Sequence, residues 1–273
     1  MRHDVRLLYL TGDKRCPCSV SVRLPTGSCR RGCFFCCSFT YFGPARLSLR
    51  HTLTKKTFLR LWSQIIQDNN FRFVWPQKKI LNALNRKRVL RFVREDLFEK
   101  SIPEITSAVL SGCHKSNYTL LVKTSSVNIE NYIEEIKLIK HCIVFSVTDL
   151  LPDYKKKIKV IDKCVRSGLN ITLSLSPIFE FNKRIKYILS RVNQNILGVF
   201  VGWLHGSASL LPPEILNRAD YKYVRFERQY KVNHLVNTVS QIFNETSKRG
   251  IELRHYFGSN FYGEGACCFV DKI

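Results

Sequence analysis

Acidic residues are scarce in this sequence: 21 Asp and Glu stand against 44 Lys and Arg, for a formal charge of +23. A surface that basic disfavours basic partners and favours polyanions, nucleic acid being the usual one. Solubility alone is the plainer account of the same excess. Long apolar runs are also missing. No segment approaches the ~18 consecutive apolar residues of a membrane span, and no basic amphipathic helix stands out, so no membrane role is expected. The opening MRHDVRLLYLTGDK has too short an apolar run for a signal peptide. The chain is therefore expected to be cytoplasmic, where thiols stay reduced. The seven histidines show no ligand pairing such as H-x3-H. No Ser/His/Asp arrangement can be read from spacing. FYGEGACC, with Gly263 and Gly265, is not a phosphate loop because no Lys-Ser/Thr follows. No internal repeat is evident.

What is present is a chain of 273 residues, 45% hydrophobic, enough to build a core. Strands are expected at SVSVRLP (19–25), VLRFV (89–93), YTLLVK (118–123), CIVFSV (142–147), NITLSLSPIF (170–179) and NILGVFVGW (195–203). Helices are expected between them. Phe58, Leu61, Trp62, Ile65 and Ile66 share one helical face, and Ile129, Ile133, Ile136 and Ile139 another, capped by Asn128. Further helices are expected near 102–115, over 153–168 with a stop at Gly168, over 182–193, and over VNHLVNTVSQIFNETSKRG with a stop at Gly250, before a last strand IELRHYF. Near-continuous apolar strands separated by helices imply a parallel sheet covered by helices. About six βα units are too few for a closed eight-fold barrel. The expected α/β architecture is a partial (β/α)6 barrel over 19–255, with an N-terminal extension (1–18) and a Cys-containing tail (256–273).

The 11 cysteines are an odd count. In a reducing compartment, clustered cysteines suggest metal and dispersed ones suggest packing. Cys113, Cys142 and Cys164 stand singly and are expected in the core. Cys29, Cys33 and Cys36 form C-x3-C-x2-C within CRRGCFFCC, just after the first strand. Reactive centres of parallel α/β sheets gather at the C-terminal ends of the strands. Three thiolates can hold a [4Fe–4S] cluster with one iron open to another ligand. A zinc site completed by a fourth residue is the alternative. Cys37 reads as a spare thiol. Cys16, Cys18, Cys267 and Cys268 could meet in a second metal site.

The Cys29, Cys33 and Cys36 motif, with the aromatic Phe35 before the third cysteine, resembles the radical S-adenosylmethionine (radical SAM) superfamily. The resemblance implies a [4Fe–4S] cluster whose unique iron is chelated by SAM. Reductive cleavage would then give methionine and a 5′-deoxyadenosyl radical that abstracts hydrogen. An electron donor such as flavodoxin or ferredoxin is implied as a partner. Residues 118–180 look like the spore-photolyase-like, DNA-repair branch of that superfamily. Carried over, the likeness assigns Lys123 to the SAM carboxylate, Ser146 to the neighbourhood of the ribose, and Glu95 or Asp96 to the SAM amino group. A helix N-cap near 96–99 is the other reading of that acidic pair. VLRFVRED lacks the cysteine hydrogen donor that the branch carries just before the acidic position. Direct reversal of a thymine-dimer lesion by that route is thereby put in question.

The basic run 72–91 mixes Arg72, Lys78, Lys79, Arg86, Lys87, Arg88 and Arg91 with Phe71, Phe73 and Trp75, a composition suited to single-stranded or flipped-out nucleic acid. The leading expectation is a radical SAM enzyme acting on a nucleic acid base or nucleotide. Two alternatives stand beside it: a zinc-binding, non-catalytic nucleic-acid-binding protein, and a radical SAM enzyme on a peptide or small metabolite. Cys267 or Cys268 is a candidate hydrogen donor, and His255, Tyr256 and Tyr262 are candidates for radical relay or substrate contact.

Overall fold

The computed structural model describes residues 7–10, 20–25, 53–66, 82, 84, 88–92, 96–176, 178, 180–202, 221–224, 227–230, 232–257, 260–262 and 269–273. Nine strands form one sheet: β1 (Leu8–Leu10), β2 (Val20–Val22), β3 (Val89–Phe92), β4 (Thr119–Thr124), β5 (His141–Val147), β6 (Ile171–Leu175), β7 (Gly198–Gly202), β10 (Leu253–Phe257) and β11 (Asn260–Tyr262). Strands β8 (Tyr221–Val224) and β9 (Glu227–Tyr230) make a separate antiparallel hairpin. The strands from β2 to β7, followed by β10, run parallel; β1 and β11 join the two ends antiparallel. The expected parallel α/β sheet is thus present, with one more parallel strand than six.

The strand order follows the chain order. A chain that always steps the same way, through crossovers of fixed hand, places its helices on one face. Those helices are α1 (Lys55–Ile66), α2 (Pro103–Ser116), α3 (Ile133–Lys137), α4 (Tyr154–Arg166), α5 (Lys183–Arg191) and α6 (Val232–Ser247). The main core confirms this one-sided layering. Leu90, Phe92, Leu120, Val122, Ile143, Phe145, Leu173, Leu175, Val199 and Val201 alternate along their strands and pack with Phe58, Ile105, Ile161 and Ile188 of the helices. The intervening positions face the other, inner side of the sheet.

Local sequence explains most helix bounds. Thr54 Oγ1 accepts the Thr57 N–H at 3.2 Å and opens α1, whose five expected apolar residues are all buried. Pro103 opens α2. Gly112 lets α1 and α2 approach closely: a Cβ there would stand 2.7 Å from Trp62 Nε1. Asn182 caps α5 by accepting the Arg184 and Ile185 N–H groups. Gly168 and Gly250 take φ of +88° and +66° beyond α4 and α6, as their stop positions require.

One helix differs from expectation. Residues Val127–Tyr132 form a 3-10 turn, and only Ile133–Lys137 is α-helical. Its cap is Ser126, whose Oγ accepts the Asn128 N–H, while Asn128 Nδ2 donates to the Phe98 carbonyl at 3.1 Å. Within the stretch read as an N-terminal extension, β1 pairs with β2.

The lower half of the inner face is filled by the tail. Phe269 is buried, and Val270 packs on Leu121, Cys142 and Val144 with Ile273 beside it. Gly198 makes room: a Cβ there would meet the Phe269 ring at 2.3 Å. Arg254 sits 4.1 Å from the centre of that ring and grips Asp271 at 2.8 and 3.1 Å and Glu252 at 2.6 Å. Lys272 adds a second link to Glu252. Desolvation opposes the charge on Arg254, but its hydrogen bonds to Asp271 and Glu252 hold its proton more tightly than usual.

Candidate functional site

Seen from the inner face, the sheet changes character along its strands. Near the strand beginnings it is apolar and covered by Val270. Near the strand ends it is polar. In parallel strands, register partners point the same way. Lys123 on β4 is partnered by Val144 on β5, and two residues on, Ser146 is partnered by Ser174 on β6. Lys123 and Ser146 therefore lie on one face at the C-terminal ends of neighbouring strands.

Hydroxyl groups repeat every second residue in β6 and just beyond it, at Thr172, Ser174 and Ser176, while Ile171, Leu173 and Leu175 face the helices. Ser146 Oγ donates to the Ser176 carbonyl at 3.3 Å. Ser174 Oγ is fully buried and finds no hydrogen-bond partner among the described residues, and the same holds for Ser21 Oγ on the inner side of β2. An unsatisfied buried hydroxyl costs about 1–3 kcal/mol, so two on one face mark a surface suited to a polar occupant. Gly202 completes this lane. A side chain there would crowd Ser176 Oγ at 2.9 Å. Ser174, Ser176 and Gly202 were not singled out from the sequence, although the period-two hydroxyls of ITLSLS were the available signal.

Asp96 is used differently from Lys123. Its Oδ1 accepts from Thr124 Oγ1 at 2.6 Å and from the Phe98 N–H at 3.2 Å, and Oδ2 accepts from the Ser125 N–H at 3.0 Å. Thr124 is offset by one residue from Lys123 and so belongs to the helix-covered face. Ser126 Oγ and Asn128 Nδ2 extend the network to the Phe98 carbonyl. The carboxylate thus stitches the loop after β3 to the loop after β4. Asp96 caps the turn at 97–98, and no helix starts before Pro103, which replaces the expected helix cap.

Beyond β5 lies a second polar group. Asp149 is buried, accepts from Asn182 Nδ2 through Oδ2, and leaves Oδ1 without a partner among the described residues. Arg184 donates to the Asp149 carbonyl at 2.8 Å, tying α5 to the loop that follows Ser146.

Cys29, Cys33, Cys36 and Cys37 lie outside the described residues, as do Glu95, the pairs at 16/18 and 267/268, and most of 72–91. The side chains of His255, Tyr256 and Tyr262 lie outside them as well. In the sequence, the cysteine motif begins seven residues after Val22, the last residue of β2. The three single cysteines are buried as expected. Burial pushes the Cys113 and Cys164 thiols up to about 12, which makes them packing groups and not thiolate ligands. Among the described residues, no three His, Cys, Asp or Glu side chains gather as a metal site. No described helix is long and apolar enough to cross a membrane.

No known family profile matches the chain, and no curated protein matches it in sequence. Solved structures do. A spore photoproduct lyase variant with bound AdoMet and dinucleoside spore photoproduct superposes with a TM-score of 0.51 at 11% identity, over 82% of this chain and 73% of that one. Spore photoproduct lyase complexed with dinucleoside spore photoproduct gives 0.47 at 11% identity, over 69% and 67%. The chain thus has a fold similar to that of spore photoproduct lyase.

Proposed function

We propose that this chain is a radical SAM enzyme of the spore-photolyase-like type, acting on a nucleic acid base or nucleotide. The observation that carries the reading is the placement of Lys123 and Ser146 on one face at the C-terminal strand ends; in the sequence, the Cys29–Cys33–Cys36 motif follows the C-terminal end of β2. Ser174 Oγ, buried without a partner on that face, fits a polar cofactor there.

In this reading Cys29, Cys33 and Cys36 hold a [4Fe–4S] cluster and the site binds SAM beside it. When bound, the pair supplies a carbon-centred radical able to abstract a substrate hydrogen once an electron donor such as flavodoxin or ferredoxin delivers an electron. Lys123 places a cation against the SAM carboxylate, a charge-assisted contact. Ser146 and the neighbouring hydroxyls orient the ribose. Asp96 holds the β3 and β4 loops together, so the acidic contact to the SAM ammonium falls to Glu95. Val270 and Phe269 close the lower end of the inner face against water. A base in duplex DNA has to leave the stack to reach such a recess.

The test is anaerobic reconstitution. About four irons per chain, an EPR signal altered by SAM, and 5′-deoxyadenosine formation lost in Cys29→Ala, Cys33→Ala and Cys36→Ala are expected. Lys123→Ala should retain the iron but raise the KM for SAM about tenfold or more. Zinc in place of iron, with no SAM cleavage, would sink the enzyme reading in favour of a binding protein. Cleavage with salt-insensitive, weak nucleic acid binding would move the substrate to a peptide or metabolite.

A further inference from the structure

The helices that follow β5 and β6 carry a surface feature unrelated to the inner face. Helix α4 contains six basic residues and α5 four, against one acid, Asp162. Neither has an acidic residue in its first turn. The positive end of a helix disfavours cations and like charges repel, so this arrangement opposes both local rules. Sequences break such rules where something outside the chain compensates.

The cations are also organised around aromatic rings. Tyr154 of α4 and Tyr187 of α5 meet edge to face, 5.8 Å between centres. Lys155 and Arg191 lie over the Tyr187 ring at 5.7 and 5.9 Å, and Arg184 lies 5.9 Å from the Tyr154 ring. Tyr187 is 36% exposed although it is a large ring on a helix surface. Among the described residues, Lys155, Lys156, Lys159, Lys183 and Arg191 make no ion pair with a carboxylate. The groove is not isolated from the site: both helix beginnings follow strand ends, and Arg184 is bonded to the Asp149 carbonyl, three residues beyond Ser146.

We infer that the α4–α5 groove is a track for single-stranded nucleic acid, in which Lys155 and Arg191 contact phosphates and Tyr187 stacks on a base beside the mouth of the barrel. A polyanion supplies the missing counter-charge. Stacking on an exposed ring flanked by cations is the usual platform for an unpaired base. This deepens the nucleic acid part of the proposed function and rests on that reading only for the direction of the track toward the mouth.

The experiment measures binding of a fluorescein-labelled oligothymidylate to the full chain by anisotropy, over a series of salt concentrations. Lys155→Glu/Arg191→Glu should weaken binding at least tenfold and flatten the salt slope by about 1.4, from roughly 0.7 per lost phosphate contact. Tyr187→Ala should weaken it about tenfold, with the slope unchanged. Lys115→Glu/Lys140→Glu makes the same charge change near the beginnings of β4 and β5, at the opposite end of the sheet, and should change affinity less than threefold. All substituted side chains are exposed, and unchanged thermal unfolding confirms intact folds. Equal losses in both double variants, or no loss in the first, would overturn the track. So would equal or tighter binding of wild type to vesicles of phosphatidylserine and phosphatidylcholine, since that assigns the groove to a membrane. SAM cleavage without nucleic acid is read in parallel and should be unaffected. Its absence in every sample, with the anisotropy results as expected, would remove the enzyme reading and leave the track standing.

Discussion

Single side chains here do structural work that their position near a site would conceal. Asp96 was readable as an acid after the second predicted strand. That its oxygens are taken by Thr124, Ser125 and Phe98 depends on a loop meeting a loop 28 residues away, which spacing does not encode. Asp96→Asn puts an amide where Ser125 or Phe98 donates and removes the charge. We expect a loss of about 1.5–3 kcal/mol, the range for hydrogen bonds to a charged group, measured by urea unfolding. His141 is a second case. Its Nε2 accepts the Asn170 N–H at 3.0 Å and its Nδ1 donates to the Ile139 carbonyl at 2.7 Å, which fits one neutral tautomer. Burial lowers its pKa below 6.5, outweighing the backbone hydrogen bonds that act the other way. The unfolded chain then takes up the proton first. The contribution of His141 is complete above about 6.5 and is lost as pH falls from there through the lowered folded value. The urea midpoint should drop between pH 7 and 5, and His141→Phe should remove that part of the drop while lowering stability at pH 7.

Among the elements, those with strong periodicity were legible and those with mixed geometry were not. Every parallel strand and the main helices fall where the apolar runs, the apolar helical faces, Gly168 and Gly250 place them. The stretch from 127 failed because isoleucines spaced by three and four residues suit either an α or a 3-10 turn. Ile129, Ile133 and Ile136 are buried in both. The tail was unreadable for another reason. Phe269 fits only because Gly198 lacks a side chain, a pairing across 71 residues. Gly198→Ala should cost about 1–3 kcal/mol by overpacking, and Phe269→Ala about 3–5 kcal/mol by leaving a cavity. The double variant should lose less than the sum, because removing the ring relieves most of the clash. The Glu252 carbonyl, 2.9 Å from the added Cβ, keeps the relief incomplete. Thermal unfolding of the four proteins checks this cycle.

For the whole molecule, the chain-ordered sheet made the candidate site findable. Once strands run parallel in sequence order, every C-terminal end lies on one rim, and residues such as Lys123 and Ser146 can be assigned to it without any contact being known. The polar lane of Ser174, Ser176 and Gly202 needed the register as well, because small residues carry little signal alone. Its contents make a prediction at this scale. Ser174→Ala removes the hydroxyl that has no partner among the described residues. It should leave stability unchanged or raise it by up to about 1 kcal/mol in thermal unfolding, while weakening SAM binding in equilibrium dialysis.

The two antiparallel end strands have a further consequence. A parallel array left open offers its last strands as templates for pairing with another chain. Here β1 and β11, each three residues long, cover those flanks. They turn the chain direction around, so a parallel partner cannot continue the pattern, and they expose too few backbone groups to hold an antiparallel one. Sheet growth from one copy of the molecule into the next is thereby checked at both borders.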